Sequence, residues 1–180
     1  MTRFIRLSSA FLLACLPFVS VVAAQQHPAM PAGMTHEEHM AQMKKDAEMK
    51  QHGAMAMGFD QDKATHHFTL TAHGGAIAVG ANDPADQATR DQIQAHLKDI
   101  AAAFGRGEFD KPLMTHGEMP PGVAAMQRHK SEITYTFERS ERGGIVRIAT
   151  PNADALNAIH DFLRYQIREH ATGDPLTVRE

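Results

Sequence analysis

Between Val22 and Leu70 the chain has no Leu, Ile or Val, and after that gap aliphatic residues recur in regular patterns to the C-terminus. A packed core needs branched apolar side chains at strand or helix spacing, so it must be built from residues beyond about 65. There, Phe68, Leu70 and Ala72 alternate with Thr69, Thr71 and His73, and Ile77 and Val79 alternate back after Gly74-Gly75, the expected turn. Asp83-Pro84 supplies an N-cap and first helical residue for a stripe of Ile93, Leu97, Ile100 and Phe104, ending before Gly105. The pattern then repeats. Ile133, Tyr135 and Phe137 alternate, Gly143-Gly144 is the turn, and Val146 and Ile148 return. A helix from Asn152 or Asp154 carries Leu156, Ile159, Leu163 and Ile167 and stops near Gly173.

"GGAIAVGANDPADQATRDQIQAHL" and "GGIVRIATPNADALNAIHDFL" read as weak copies of one unit. Two ββα units bury both helix stripes most simply under one sheet. The expected fold is therefore α+β: a ββα-ββα pseudo-repeat, with a four-stranded antiparallel sheet and two helices on one face. The other face, with Thr69, Ala76, Ala78, Thr136 and Arg147, is small and polar. It can be solvated, covered by the N-terminal segment, or paired in a homodimer.

The first residues indicate where the protein works. Arg3 and Arg6 precede an apolar run over residues 7–22, and Val22-Ala23-Ala24 offers small side chains for cleavage. This is the pattern of a secretory signal peptide over residues 1–24. The run is short and contains Pro17, which disfavours a retained membrane helix. Leu12-Leu13-Ala14-Cys15 loosely matches a lipobox, but apolar residues follow Cys15 where a lipoprotein has a polar tether. The expected product is periplasmic or secreted, with no membrane span after cleavage. Cys15 is the one cysteine, so the mature chain has no disulfide, thiolate nucleophile or Cys-ligated metal. Losing Arg3 and Arg6 from 18 basic residues leaves 16 against 21 acidic ones, a net charge of −5. With no basic run either, nucleic acid is an improbable partner.

The gap itself is rich in other residues. Residues 25–57 hold seven Met and four His in 33 positions. Thr35-His36-Glu37-Glu38 has the form of a capping box, starting a helix expected to run from His36 to about His52 and stop at Gly53. At about 100° per residue, His36, His39, Met40 and Met43 share one face. A helix seeking a core would also contain Leu or Ile. Thioethers favour soft Cu(I), and imidazoles suit Cu(II), Ni(II) or Zn(II). Residues 25–59 thus read as a flexible metal-binding tail, unstructured without its metal, ahead of a domain over residues 60–180.

Further histidines fall inside that domain. His66 shares strand parity with Phe68 and Leu70 and should face the helices, whereas His67 should point the other way. His96 follows Ile93 by three residues, and His160 and His170 lie on or beside the second helix stripe. The linker "LMTHGEMPPGVAAM" adds Met114, His116, Met119 and Met126, with Pro120-Pro121-Gly122 as a stiff turn. His66, His96, His116 and His160 are the expected converging metal ligands, with His67, His170 and Met126 secondary. Met126 is equally suited to the core.

"THHFTL", "HLKDIAAAFGRGEFDKP", "HGEMPPGVAAM" and "AIHDFLRYQIREHATGD" together resemble a family of small exported bacterial proteins without an established function. The resemblance covers roughly residues 57–174 and implies that His66, His67, His96, His116, Met126, His160 and His170 belong to the family pattern. Such sequences are sometimes labelled aspartate carbamoyltransferase. That label conflicts with the residues: its fold needs two α/β domains and a Ser-Thr-Arg-Thr phosphate loop, and its substrates call for converging arginines.

The composition thus points to an exported metal-binding protein. Its expected cargo is a copper ion or another transition metal, held in buffering, delivery or resistance, and a metal-transfer protein is a candidate partner. The alternative is a small histidine- or metal-dependent enzyme in which a site with an open position activates water or oxygen. Glu118, beside His116, is then the first general-base candidate.

Overall fold

The computed structural model describes residues 33–179. The expected signal peptide, Cys15 and the first residues of the Met/His segment lie outside that range. Helix α1 spans His36–Met57, followed by strands β1, Ala64–Thr71, and β2, Gly74–Ala81. Helix α2 spans Gln87–Arg106, and two short helices follow, α3 at Asp110–His116 and α4 at Val123–Arg128. Strands β3, Thr134–Ser140, and β4, Gly143–Ala149, lead to α5, Ala153–Glu169.

The four strands form one antiparallel sheet in the order β1-β2-β4-β3. The fold is α+β, with two β-hairpins that each lead into a long helix. Ile93, Leu97, Ile100 and Phe104 of α2 and Ile159, Leu163 and Ile167 of α5 are buried against Phe68, Leu70, Val79, Val146 and Ile148 of the sheet. Each aliphatic side chain so buried contributes about 1.5–3 kcal/mol relative to exposure.

The glycine pairs serve a different purpose from the one expected. The hairpin turns are Ala72-His73 and Glu141-Arg142, and both glycine pairs open the following strand. A Cβ at Gly75 would collide with Leu163 of α5, and one at Gly144 would lie 3.2 Å from Cδ1 of Leu97 in α2. Bare backbone at these points lets each helix sit close on its hairpin.

Helix boundaries shift in the same way. Asp86, rather than Asp83, caps α2 by accepting from the Thr89 N–H at 3.0 Å, and the helix runs through Gly105 to a left-handed Gly107. Asn152 caps α5 by accepting from the N–H groups of Asp154 and Ala155, and the helix stops at His170 rather than near Gly173. The linker contains α3 and α4, with Val123 and Met126 of α4 fully buried.

The capping box of α1 is present: Glu38 N–H donates to the Thr35 hydroxyl, and Thr35 N–H donates to the Glu38 carboxylate. The helix passes Gly53 and ends at Met57, before a left-handed Gly58. Its last turn is not a tail, because Ala56, Met57 and Phe59 are buried and the latter two join the hydrophobic core. Lys45 also pairs with Glu169 of α5 at 3.0 Å. Among the described residues no helix is long and apolar enough to cross a membrane.

Candidate metal centre

Four histidines from four elements meet at one end of the sheet. His66 projects from β1 on the helix side, as strand parity dictates. His96 comes from the edge of the α2 stripe, His116 is the last residue of α3, and His170 is the residue that terminates α5. All four line a cavity of about 60 Å³, together with Met57, Phe68, Phe104, Lys111 and Gln166.

The rings follow one another in a chain. Phe59 lies edge-on to His96 with centroids 5.6 Å apart, and 6.1 Å from His66. His66 and His170 are 5.2 Å apart and near-parallel, while His116 and His170 are 5.2 Å apart and near-perpendicular. Burial makes all four poor bases. Desolvation pushes His66 to about 4, with the neighbouring His67 adding to the effect. Desolvation likewise takes His96 to about 4, helped by Lys111, and His170 to about 3, helped by His66 and His116. His116 is lowered mainly by burial, against the opposing pull of Gln166 and nearby carboxylates. At neutral pH the cavity is lined by uncharged imidazoles, the protonation state that ligates metals.

Hydrogen bonding leaves some of these groups incomplete. His116 Nε2 lies 3.1 Å from Gln166 Oε1, so Nε2 carries the proton and Nδ1 the lone pair. That Nδ1 is buried without a protein partner, as are His96 Nδ1 and Gln166 Nε2. A buried polar atom without a partner costs about 1–3 kcal/mol, so three around one small cavity call for a polar occupant. The volume suits a few waters or a single ion with water, since one water needs at least ~10–15 Å³. As the side chains stand, no three His, Cys, Asp or Glu among the described residues are arranged to hold an ion.

The other residues singled out from the sequence lie elsewhere. His160 is not in the cavity: its buried ring places Nε2 2.9 Å from Thr71 O and 3.0 Å from Gly74 O, clamping the β1–β2 turn. Ten residues separate it from His170, about 15 Å along a helix at 1.5 Å per residue, so the two cannot share an ion. His67 points to the opposite sheet face, where Nδ1 meets Asp174 at 3.1 Å. Met126 is fully buried in the core, and the thioether on the cavity wall is Met57. On α1, His36 and Met40 are exposed, and His39 and Met43 are half-buried. Glu118 accepts from the Tyr165 hydroxyl at 2.8 Å, and Tyr165 lies edge-on to His116.

Sequence reasoning did not foresee Met57, Phe59, Gln166 and Lys111 near the site. The first two are isolated apolar residues with no periodic neighbours. Gln166 was in principle visible, four residues before His170 on the same helix face.

Comparison with known proteins adds no relative. No known family, no curated protein and no solved structure matches the chain.

Proposed function

We propose that this is an exported metal-binding protein, with copper its chief cargo, acting in buffering, delivery or resistance. The observation that carries the reading is the set of four uncharged imidazoles around one cavity, two of them with buried ring nitrogens left unpaired. With metal–nitrogen bonds of about 2.0–2.1 Å and tetrahedral angles, two imidazoles on one ion have centroids about 5 Å apart. The His66–His170 and His116–His170 separations of 5.2 Å are of that size. Ligation requires the rings to turn from their present orientations, since no three His, Cys, Asp or Glu among the described residues stand around one point.

The outer surface supports the same cargo. Met40, Met55, Met114 and Met119 are 46–66% exposed, and the other exposed large hydrophobics among the described residues are Leu113, Leu176 and Val178. Water-facing thioethers gain little by packing but offer soft ligands to Cu(I). In this reading the Met/His face of α1 takes up copper, and the cavity retains it.

Competition titration of the full mature chain against a Cu(I) chelator, with metal analysis, tests the proposal. Two copper populations are expected: one weakened by changing Met40 and Met43 together to Leu, the other lost in His116→Gln. No uptake at micromolar copper, or unchanged uptake in both variants, would overturn it.

A further inference from the structure

Readily oxidised side chains are few in this protein, apart from one type. The chain has no tryptophan and two tyrosines, and its single cysteine, Cys15, lies in the expected signal peptide. Methionine is the exception, with 11 copies. Among the described residues, Met57 is 9% exposed and Met126 fully buried, whereas Met40, Met55, Met114 and Met119 face water.

Those four also share a location. Met40 and Met55 are both on α1, and at about 100° per residue they stand only about 60° apart around its axis. Met114 is on α3 and Met119 in the loop after it, and α3 packs against α1. Met55 precedes the buried cavity thioether, Met57, by two residues. At a water-facing helix position Leu matches Met in helix propensity and resists oxidation, so packing gives no reason for thioethers there.

We propose that the exposed methionines of α1, α3 and the loop after α3 are sacrificial oxidation sites, which consume two-electron oxidants of the hypochlorous acid type before these reach the buried thioethers. The role is separate from copper binding and does not depend on it.

The chemistry at each site balances with the oxidant alone. A sulfur lone pair attacks the chlorine of hypochlorous acid, an S–Cl bond forms, the O–Cl bond breaks and hydroxide leaves. Water then adds to the sulfur, chloride leaves, and two protons are released, one of which neutralises the hydroxide. The sulfur loses two electrons and the chlorine gains them, so the products are one sulfoxide, one chloride and one proton. A sulfoxide is polar. On the α1–α3 surface its oxygen is hydrated, and the fold is unaffected. At Met57 or Met126 the same oxygen would be a buried acceptor without a donor. Expendable and structural thioethers are thus kept apart by exposure.

The test treats the full mature chain, freed of metal with a chelator, with rising doses of hypochlorous acid. Peptide mass spectrometry reads oxygen uptake at each methionine, and the urea midpoint reads the fold. Met40, Met55, Met114 and Met119 are expected to gain oxygen at least about tenfold faster than Met57 and Met126, with the midpoint unchanged once those four are oxidised. A variant carrying Met40→Leu, Met55→Leu, Met114→Leu and Met119→Leu together is expected to lose its midpoint at a lower dose than the unaltered protein, because oxidant then reaches Met57 and Met126 earlier. Equal rates at exposed and buried methionines, a midpoint that falls as the exposed four are oxidised, or equal tolerance of the oxidant by the variant would each overturn the proposal. The histidine cavity is tested separately, by copper uptake.

Discussion

The middle of α5 and its C-terminus each carry a histidine turned inward, and the two are treated in opposite ways. In the middle, under the β1–β2 turn, the buried His160 ring has its Nε2 within 3.0 Å of two backbone carbonyls, Thr71 and Gly74. At the C-terminus the half-buried His170 packs against two further imidazoles and a phenyl ring, beside a cavity with unpaired nitrogens. An inward-facing histidine therefore does not by itself mark a site. What distinguishes the two positions is whether the polar atoms around the ring are already satisfied.

The largest effect expected is on pH stability, and it arises at the His170 end. His66 and His96 are lowered from 6.5 to about 4 and His170 to about 3, so the unfolded chain binds more protons than the folded one in between. Their contribution to stability is present above about pH 6.5 and is lost as pH falls toward 4. Urea midpoints measured from pH 7 to pH 4 should drop steeply over that window. The same series with His170→Gln should be flatter, and one as steep as the original would place the proton uptake elsewhere.

Next in size is Phe59→Ala. This ring is buried between His66 and His96, so its removal should cost about 3–4 kcal/mol in urea denaturation, within the range for buried Phe→Ala. A loss under about 1 kcal/mol would mean that the end of α1 is a detachable tail after all. His160→Ala should cost about 2–3 kcal/mol by leaving the Thr71 and Gly74 carbonyls without their donor, with copper uptake unchanged. The smallest effect is expected from Thr35→Ala, about 1 kcal/mol from the lost cap. It should show as faster hydrogen exchange in the first turns of α1 and not in the global midpoint.

The fold could be read from the sequence because its signals are periodic. Alternation around Phe68 and Phe137 and the stripes of α2 and α5 define four strands and two helices, and burying both stripes requires one layered solution. The same patterns mislead about position. Gly74-Gly75 suggests a turn, yet Gly75 is required under Leu163 and Gly74 against the Ile148 backbone. Helices α3 and α4 were missed because they are six or seven residues long and sit among Pro and Gly, too short to show a stripe.

The site was half legible for a related reason. Strand parity placed His66 and His67 on their observed faces. On α5, stripe membership reports which way a side chain points but not how far along the axis it lies, so His160 was grouped with residues about 15 Å away. His170, beyond the last apolar residue of the stripe, carried the weaker signal and holds the better position. Phe59 and Met57 had no pattern to announce them.

One measurement tests the contrast between the two histidines: the copper content of purified, copper-loaded protein carrying either His170→Gln or His160→Gln, compared with the unaltered chain at neutral pH. His170→Gln is expected to lose the tightly held ion through dialysis while His160→Gln keeps it despite its lower stability. Retention of that ion by His170→Gln, or its loss from His160→Gln alone, would contradict the assignment of the metal centre to the His66, His96, His116 and His170 cavity.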